Sequence, residues 1–220
     1  MWREILKLLG KSNLQKQALQ ECHEMLDICA EMVRASVDSL RHRDDASIDI
    51  DIYAMDLKLN AFERDVRRKV MTHLSLGHTA DIASGLVLVS VVIDIERIGD
   101  YSKNIYDLAR RHPSRLHGGP VEARLAAIET EVLKQFPQTV QTFRTGNVED
   151  ARRLMQSYKK DISREVSALE TAIVSGEVDV PAHDAAALVL YARFLKRISA
   201  HSRNLVSSLV NPFDRIGYPE

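Results

Sequence analysis

Apolar residues recur along this chain every three to four positions, the spacing that gathers them on one face of a helix. Leu19, Cys22, Leu26, Cys29, Met32 or Val33, Val37 and Leu40 make one such stripe and predict a helix over residues 14–40. Ile52, Met55, Leu59, Phe62, Val66, Val70 and Leu74 make the next, over residues 50–76, and the charged residues 41–49 between the two hold the turn. Gly77 suits a helix C-terminus and Thr79 an N-cap. A further helix is therefore expected over residues 80–110, on the order of 45 Å long. Ahead of these, residues 1–9 read as a short amphipathic helix, with Trp2, Ile5, Leu6, Leu8 and Leu9 set against Arg3, Glu4 and Lys7.

The pattern then stops and restarts. Residues 111–120, RHPSRLHGGP, carry two prolines, two glycines and two histidines and are the clearest linker in the chain. Beyond them, helices are expected over residues 121–144, over residues 148–174, and from about Pro181 to just before Asn211-Pro212. Breaks fall at Thr145-Gly146-Asn147 and at residues 175–180, and the tail reads as irregular. The halves match at an offset of 100 residues: Leu88-Val89 with Leu188-Val189, Arg97-Ile98 with Arg197-Ile198, and Ser102-Lys103-Asn104-Ile105 with Ser202-Arg203-Asn204-Leu205. The expected architecture is all-α, two tandem three-helix bundles with an extra N-terminal helix. Residues 1–12 would be that helix, 13–112 the first repeat, 113–120 the linker, 121–211 the second repeat and 212–220 the tail.

Composition narrows the function. Hydrophobic residues make up 45% and aromatics only 5%, which favours helices packed through aliphatic side chains over a β-sandwich. The 30 basic and 31 acidic residues leave no electrostatic footprint for nucleic acid. On one helix Cys22 and Cys29 stand roughly 10 Å apart, too far to bridge, which fits a reducing cytoplasm. No leader peptide is evident, and the longest apolar run, residues 85–93, is too short to span a bilayer. A cytoplasmic location is expected, with membrane association only through partners. No Ser-His-Asp set, glycine-rich nucleotide loop, HExxH or Glu-x-x-His pair is present, so catalysis is not expected.

The candidate chemistry lies where the apolar run gives way to acid. On a helix Glu96, Asp100 and Asn104 lie four apart on one face. Counting back from a reversal near residue 78 brings Asp56 and Asn60, also four apart, level with them; Glu63 is one turn further on. Three carboxylates and an amide at one height attract a cation. Arg64 or Arg97 could supply it, or a hard metal ion with oxygen ligands such as Mg, Mn, Fe or Ca. The alternative is a solvated acidic face.

Asp94-Ile95-Glu96-Arg97-Ile98-Gly99-Asp100, followed by Asn104-Ile105, resembles the motif of PhoU-type phosphate-signalling regulators. Asp56-Leu57-Lys58-Leu59-Asn60-Ala61-Phe62-Glu63 resembles the companion motif on the preceding helix. The resemblance covers nearly the whole chain and implies the same pair of three-helix repeats. It also implies that Asp56, Glu96 and Asp100 ligate a divalent or trivalent metal ion, with Asn60 a fourth ligand and Glu63 and Asn104 in support. The implied role is negative regulation of phosphate uptake, through the ATPase of an ABC phosphate transporter, a sensor histidine kinase, or both. A homodimer is compatible with that role. The rival readings are a metal-free helical adaptor, in which arginines pair with Glu96 and Asp100, and an accessory regulator of another anion permease. The second repeat departs from the motif: Lys196, Ser199 and Ala200 stand where Glu96, Gly99 and Asp100 stand in the first. No metal is expected there, and Lys196 is expected to pair with Asp161. His201 is expected to be a packing or surface residue rather than a ligand.

Overall fold

The computed structural model describes residues 14–160 and 162–219, so the short helix expected over residues 1–9 lies outside the described chain. The first repeat is α1 (Leu14–His42), α2 (Ile52–Ser75) and α3 (Ile82–Arg111). No strand occurs among the described residues. Every position of the stripe read on α1 is buried. α2 is the outer helix of the three, burying only Ile52, Leu59, Val66, Val70 and His73. Its first turn is capped by Asp51, whose carboxylate accepts from the Ala54 amide at 3.0 Å.

Gly77 ends this helix as expected, at a φ of +91° that disfavours residues with a Cβ. Thr79 is not the N-cap of the next helix. Thr79–Asp81 form a 3-10 turn and Asp81 precedes α3, without a capping bond from its side chain. The Asp81 carboxylate is held instead by His73 Nε2, at 2.8 Å.

The second repeat follows the linker as α4 (Glu122–Thr145), α5 (Val148–Lys160), α6 (Ile162–Val174) and α7 (Ala182–Val210). α4 closes on Gly146, which has a φ of +65° and donates to Thr142 O at 2.9 Å. The single helix read over residues 148–174 is described as α5 and α6, on either side of Asp161, which lies outside the described residues. Ala151, Leu154, Met155 and Tyr158, then Ile162, Val166, Leu169 and Ile173, are buried on one continuous helical period. Pro181 directly precedes α7. The tail expected to be irregular is tied down. It makes a 3-10 turn, Phe213–Arg215, Asn211 Nδ2 donates to the carbonyls of Arg215 and Tyr218, and the Gly217 amide donates to Ser207 Oγ at 2.7 Å.

α3 is the axis of the molecule. It packs on α1 and α2 within its own repeat and on α7 across the repeats, while α1 also meets α4. Burial of Leu88, Val91, Ile95, Ile98 and Ile105 on α3 and of Leu188, Leu195, Ile198 and Leu205 on α7 supplies the apolar driving force. Each such side chain contributes about 1.5–3 kcal/mol. A polar plug closes one end of the junction. Arg41, its side chain 5% exposed, donates Nε to Glu129 Oε2 at 2.9 Å and also reaches Glu122 and the Leu116 carbonyl. The Tyr191 hydroxyl donates to the same Glu129 oxygen at 2.7 Å. Burial pushes the Tyr191 phenol well up, so it stays a donor.

Candidate metal centre

The geometry of the acidic region starts from Gly99. A Cβ at this position would lie 2.2 Å from Leu59 Cδ1 and 3.7 Å from Cys29 Sγ. The bare backbone lets α3 sit tightly against α2 and α1. Gly85 does the same nearer the turn, where a Cβ would meet Val70 Cγ1 at 3.0 Å. Further along, the Tyr53 hydroxyl donates to Asp107 Oδ1 at 2.6 Å. These contacts slide the two helices a few residues past the register counted from the sequence, which sets Asp56 beside Asp100 and Lys103 and Glu63 beside Glu96.

The carboxylates share one field. Glu96 is only 8% exposed. Burial raises its pKa above the ordinary 4.5; Arg97 opposes the rise, and Glu63, Asp100 and Asp56 add to it. Burial likewise raises Asp56 above its ordinary 3.8, opposed by Lys103 and aided by Asp100 and Asp107. Glu63, ranked last from spacing, bears more strongly on Glu96 than Asp56 does. Glu96 Oε2 is buried without a hydrogen-bond partner. Arg97 Nε lies 3.4 Å from it, within ion-pair range but not aligned to donate, and the Arg97 side chain is 49% exposed.

The structure brings some of the expected ligands together and turns others aside. Asp100 faces Lys103 Nζ at 3.2 Å and Arg97 Nη1 at 3.6 Å. Asn60 donates its amide to the Asp56 carbonyl at 2.9 Å, with Asp56 Oδ2 at 3.4 Å. Glu63 is paired with Arg67 at 2.8 Å. Asn104 lines the groove between α3 and α7 with Asp107, Arg111, Leu190 and Phe194. Arg64 lies on the outward side of α2 beside Lys58, Asp65 and Arg68, which leaves Arg97 as the nearer rival cation.

Among the described residues, two groups of three metal-binding side chains have ligand atoms within 4.8 Å of one another: His73 with His78 and Asp81, and His112 with His183 and Asp184. Asp56, Glu96 and Asp100 are not such a group. Their chemistry still fits a hard cation, because the donors are all oxygen and one, Glu96 Oε2, is buried without a hydrogen bond. The groups that such a cation displaces are Arg97 and Lys103.

In the second repeat Lys196 Nζ donates to Ser167 Oγ at 2.9 Å. The pairing with Asp161 that the sequence suggested involves a residue outside the described chain. His201 packs, as expected, with both ring nitrogens committed. An arginine can only donate, so His201 Nε2 accepts from Arg197 Nη2 at 3.0 Å, and His201 Nδ1 donates to Asp94 Oδ1 at 2.7 Å. The Asn204 amide donates to the same oxygen at 2.8 Å, and Arg197 Nε donates to the Tyr101 hydroxyl at 3.2 Å. The sequence reading gave Asp94 no separate role. It is buried, and it ties α3 to α7. The signal was available: Asp94 interrupts a buried apolar stripe, a position that demands a partner.

Residues 22–109, which include Asp56, Asn60, Glu63, Glu96 and Asp100, match the family model described as the PhoU domain. The fold is similar to that of the crystal structure of PhoU from Pseudomonas aeruginosa, with a TM-score of 0.75 and 19% identity over 90% of this chain and 95% of that one. It is also similar to the phosphate transport system regulatory protein PhoU from Streptococcus pneumoniae, with a TM-score of 0.68 and 17% identity over 90% of this chain and 91% of that one. No curated protein sequence matches the chain.

Proposed function

We propose that this chain, which carries a PhoU domain over residues 22–109, regulates phosphate uptake and phosphate-starvation signalling by binding other proteins, not by catalysis. The observation that carries the proposal is the acidic cluster of α2 and α3, inside the matched segment, which includes the buried Glu96 Oε2 that receives no hydrogen bond. A Mg, Mn, Fe or Ca ion held by Asp56, Glu96 and Asp100, with Asn60 and Glu63 beside them, neutralises the cluster and stiffens the outer face of the first repeat. The partner reads that stiffened face. As the motif resemblance implies, the partner in this proposal is the ATPase of an ABC phosphate transporter or a sensor histidine kinase, with the protein acting in the cytoplasm as a negative regulator; the similar Streptococcus pneumoniae protein is a phosphate transport system regulatory protein. No described helix is long and apolar enough to cross a membrane, which fits attachment through partners.

The test is a strain lacking this gene and carrying a phosphate-starvation reporter. The reporter should run unchecked in high phosphate. The wild-type chain should silence it, and Asp100→Ala should not. Silencing by Asp100→Ala as complete as by the wild type would favour the second reading, a metal-free adaptor. That reading is supported by Arg97, which already lies within 3.6 Å of both Glu96 and Asp100.

A further inference from the structure

His112, one of the two linker histidines, lies at the C-terminal end of α3 against the first turn of α7, beside His183 and Asp184. Its Nδ1 is 2.6 Å from the Ser114 carbonyl oxygen. A carbonyl can only accept, so Nδ1 carries the hydrogen and Nε2 of the neutral ring presents a lone pair. That Nε2 is 3.0 Å from Asp184 Oδ1. His183 Nε2 is 3.4 Å from the same oxygen. A lone pair and a carboxylate oxygen cannot face each other at this distance without a cation between them. The cation is either a proton or a metal ion.

The all-proton alternative needs one proton between His112 and Asp184 and a second N–H from a neutral His183, whose 3.4 Å contact is long for a hydrogen bond. A metal ion uses all three groups. Around tetrahedral zinc, with bonds of about 2.0–2.1 Å, neighbouring donor atoms stand roughly 3.3 Å apart. The observed separations of 3.0 and 3.4 Å bracket that value. The Ser114 carbonyl orients the His112 ring from behind, the outer contact that metal-bound histidines have. Two imidazoles and a carboxylate select zinc, cobalt or nickel over magnesium or calcium.

We propose that His112, His183 and Asp184 bind a divalent transition metal of the zinc class, with a fourth position open to water. The ion clips the end of the first repeat to the start of the last helix. This site is separate from the all-oxygen cluster of α2 and α3, and the proposal stands whether or not that cluster binds metal.

The test uses Co2+ as a coloured probe on the full-length apo protein, followed by competition with Zn2+. The wild type should develop visible cobalt bands saturating at one equivalent, bleached by Zn2+ and untouched by excess Mg2+. The His183 side chain is 65% exposed, so His183→Ala leaves the fold intact, as a thermal melt without metal would show. It should weaken the binding at least roughly tenfold, the lower end of what even outer-contact changes cost. Glu96→Gln combined with Asp100→Asn should leave the bands unchanged. Cobalt binding that is equal in the wild type and His183→Ala, or absent from the wild type, would overturn the proposal and leave His112 and Asp184 as a proton-sharing pair.

Discussion

Arg41→Ala is the most informative perturbation of the fold. Among the described residues the guanidinium is the only positive group bonded to Glu129, which is 9% exposed, and it also satisfies the Leu116 carbonyl. Removing it leaves a carboxylate buried with only the neutral Tyr191 hydroxyl as donor. Breaking a buried pair in this one-sided way costs about 3–5 kcal/mol. For a chain of this length each kcal/mol is worth about 2–4 °C, so the melting temperature should fall by roughly 6–20 °C. Glu129→Gln in the same chain removes the stranded charge and should restore more than half of the loss. The assay is urea unfolding of the four corners of the double-variant cycle. A loss under about 1 kcal/mol for Arg41→Ala, or no recovery in the double variant, would show that the plug is not a coupled network.

Gly99→Ala drives a methyl group into Leu59 and should destabilise by about 1–3 kcal/mol in a chemical melt, with partial rescue by Leu59→Ala. Asp94→Ala strands the His201 Nδ1 and Asn204 amide donors and should cost about 1–3 kcal/mol in the same melt. Asp94→Asn, which keeps an acceptor, should cost less. Glu96 and Asp56 have folded pKa values raised above 4.5 and 3.8, so the folded chain retains protons that the unfolded chain has released. The stability of the metal-free protein should therefore fall as pH rises from those ordinary values through the raised ones. A saturating hard divalent ion should flatten or reverse that slope in melts across pH. Asp56→Asn combined with Glu96→Gln should remove this part of the fall, and a pH profile identical to that of the wild type would contradict the assigned field.

The helices were legible because their apolar stripes are long and the turns carry plain punctuation, as at Gly77 and Gly146. Thr79 misled because the His73 ring captures Asp81 and the chain enters α3 through a 3-10 turn, a tertiary contact with no local sequence mark. The tail looked structureless because its bonds run from Asn211 and Ser207 to backbone groups, which no side-chain pattern reveals. Counting along antiparallel helices brought the two acidic stretches together but a few residues out of step, so that Asp56 lies beside Asp100 and Lys103 while Glu63 stands beside Glu96. It could not show that Asn104 turns toward α7, that Glu63 bears so strongly on Glu96, or that Lys103 and Arg97 lean over Asp100. Those outcomes depend on helix rotation and on rotamers. The histidines of the linker and of α7 were individually visible, but their convergence follows only from the packing of α7 on α3.

Calorimetric titration of Mn2+ into His183→Ala protein, whose histidine site is weakened, with and without Asp100→Ala, asks most directly whether the carboxylates of α2 and α3 hold a cation. At least one bound equivalent is expected when Asp100 is present and none when it is replaced. Equal uptake by the two proteins, or none by either, would rule out the cation.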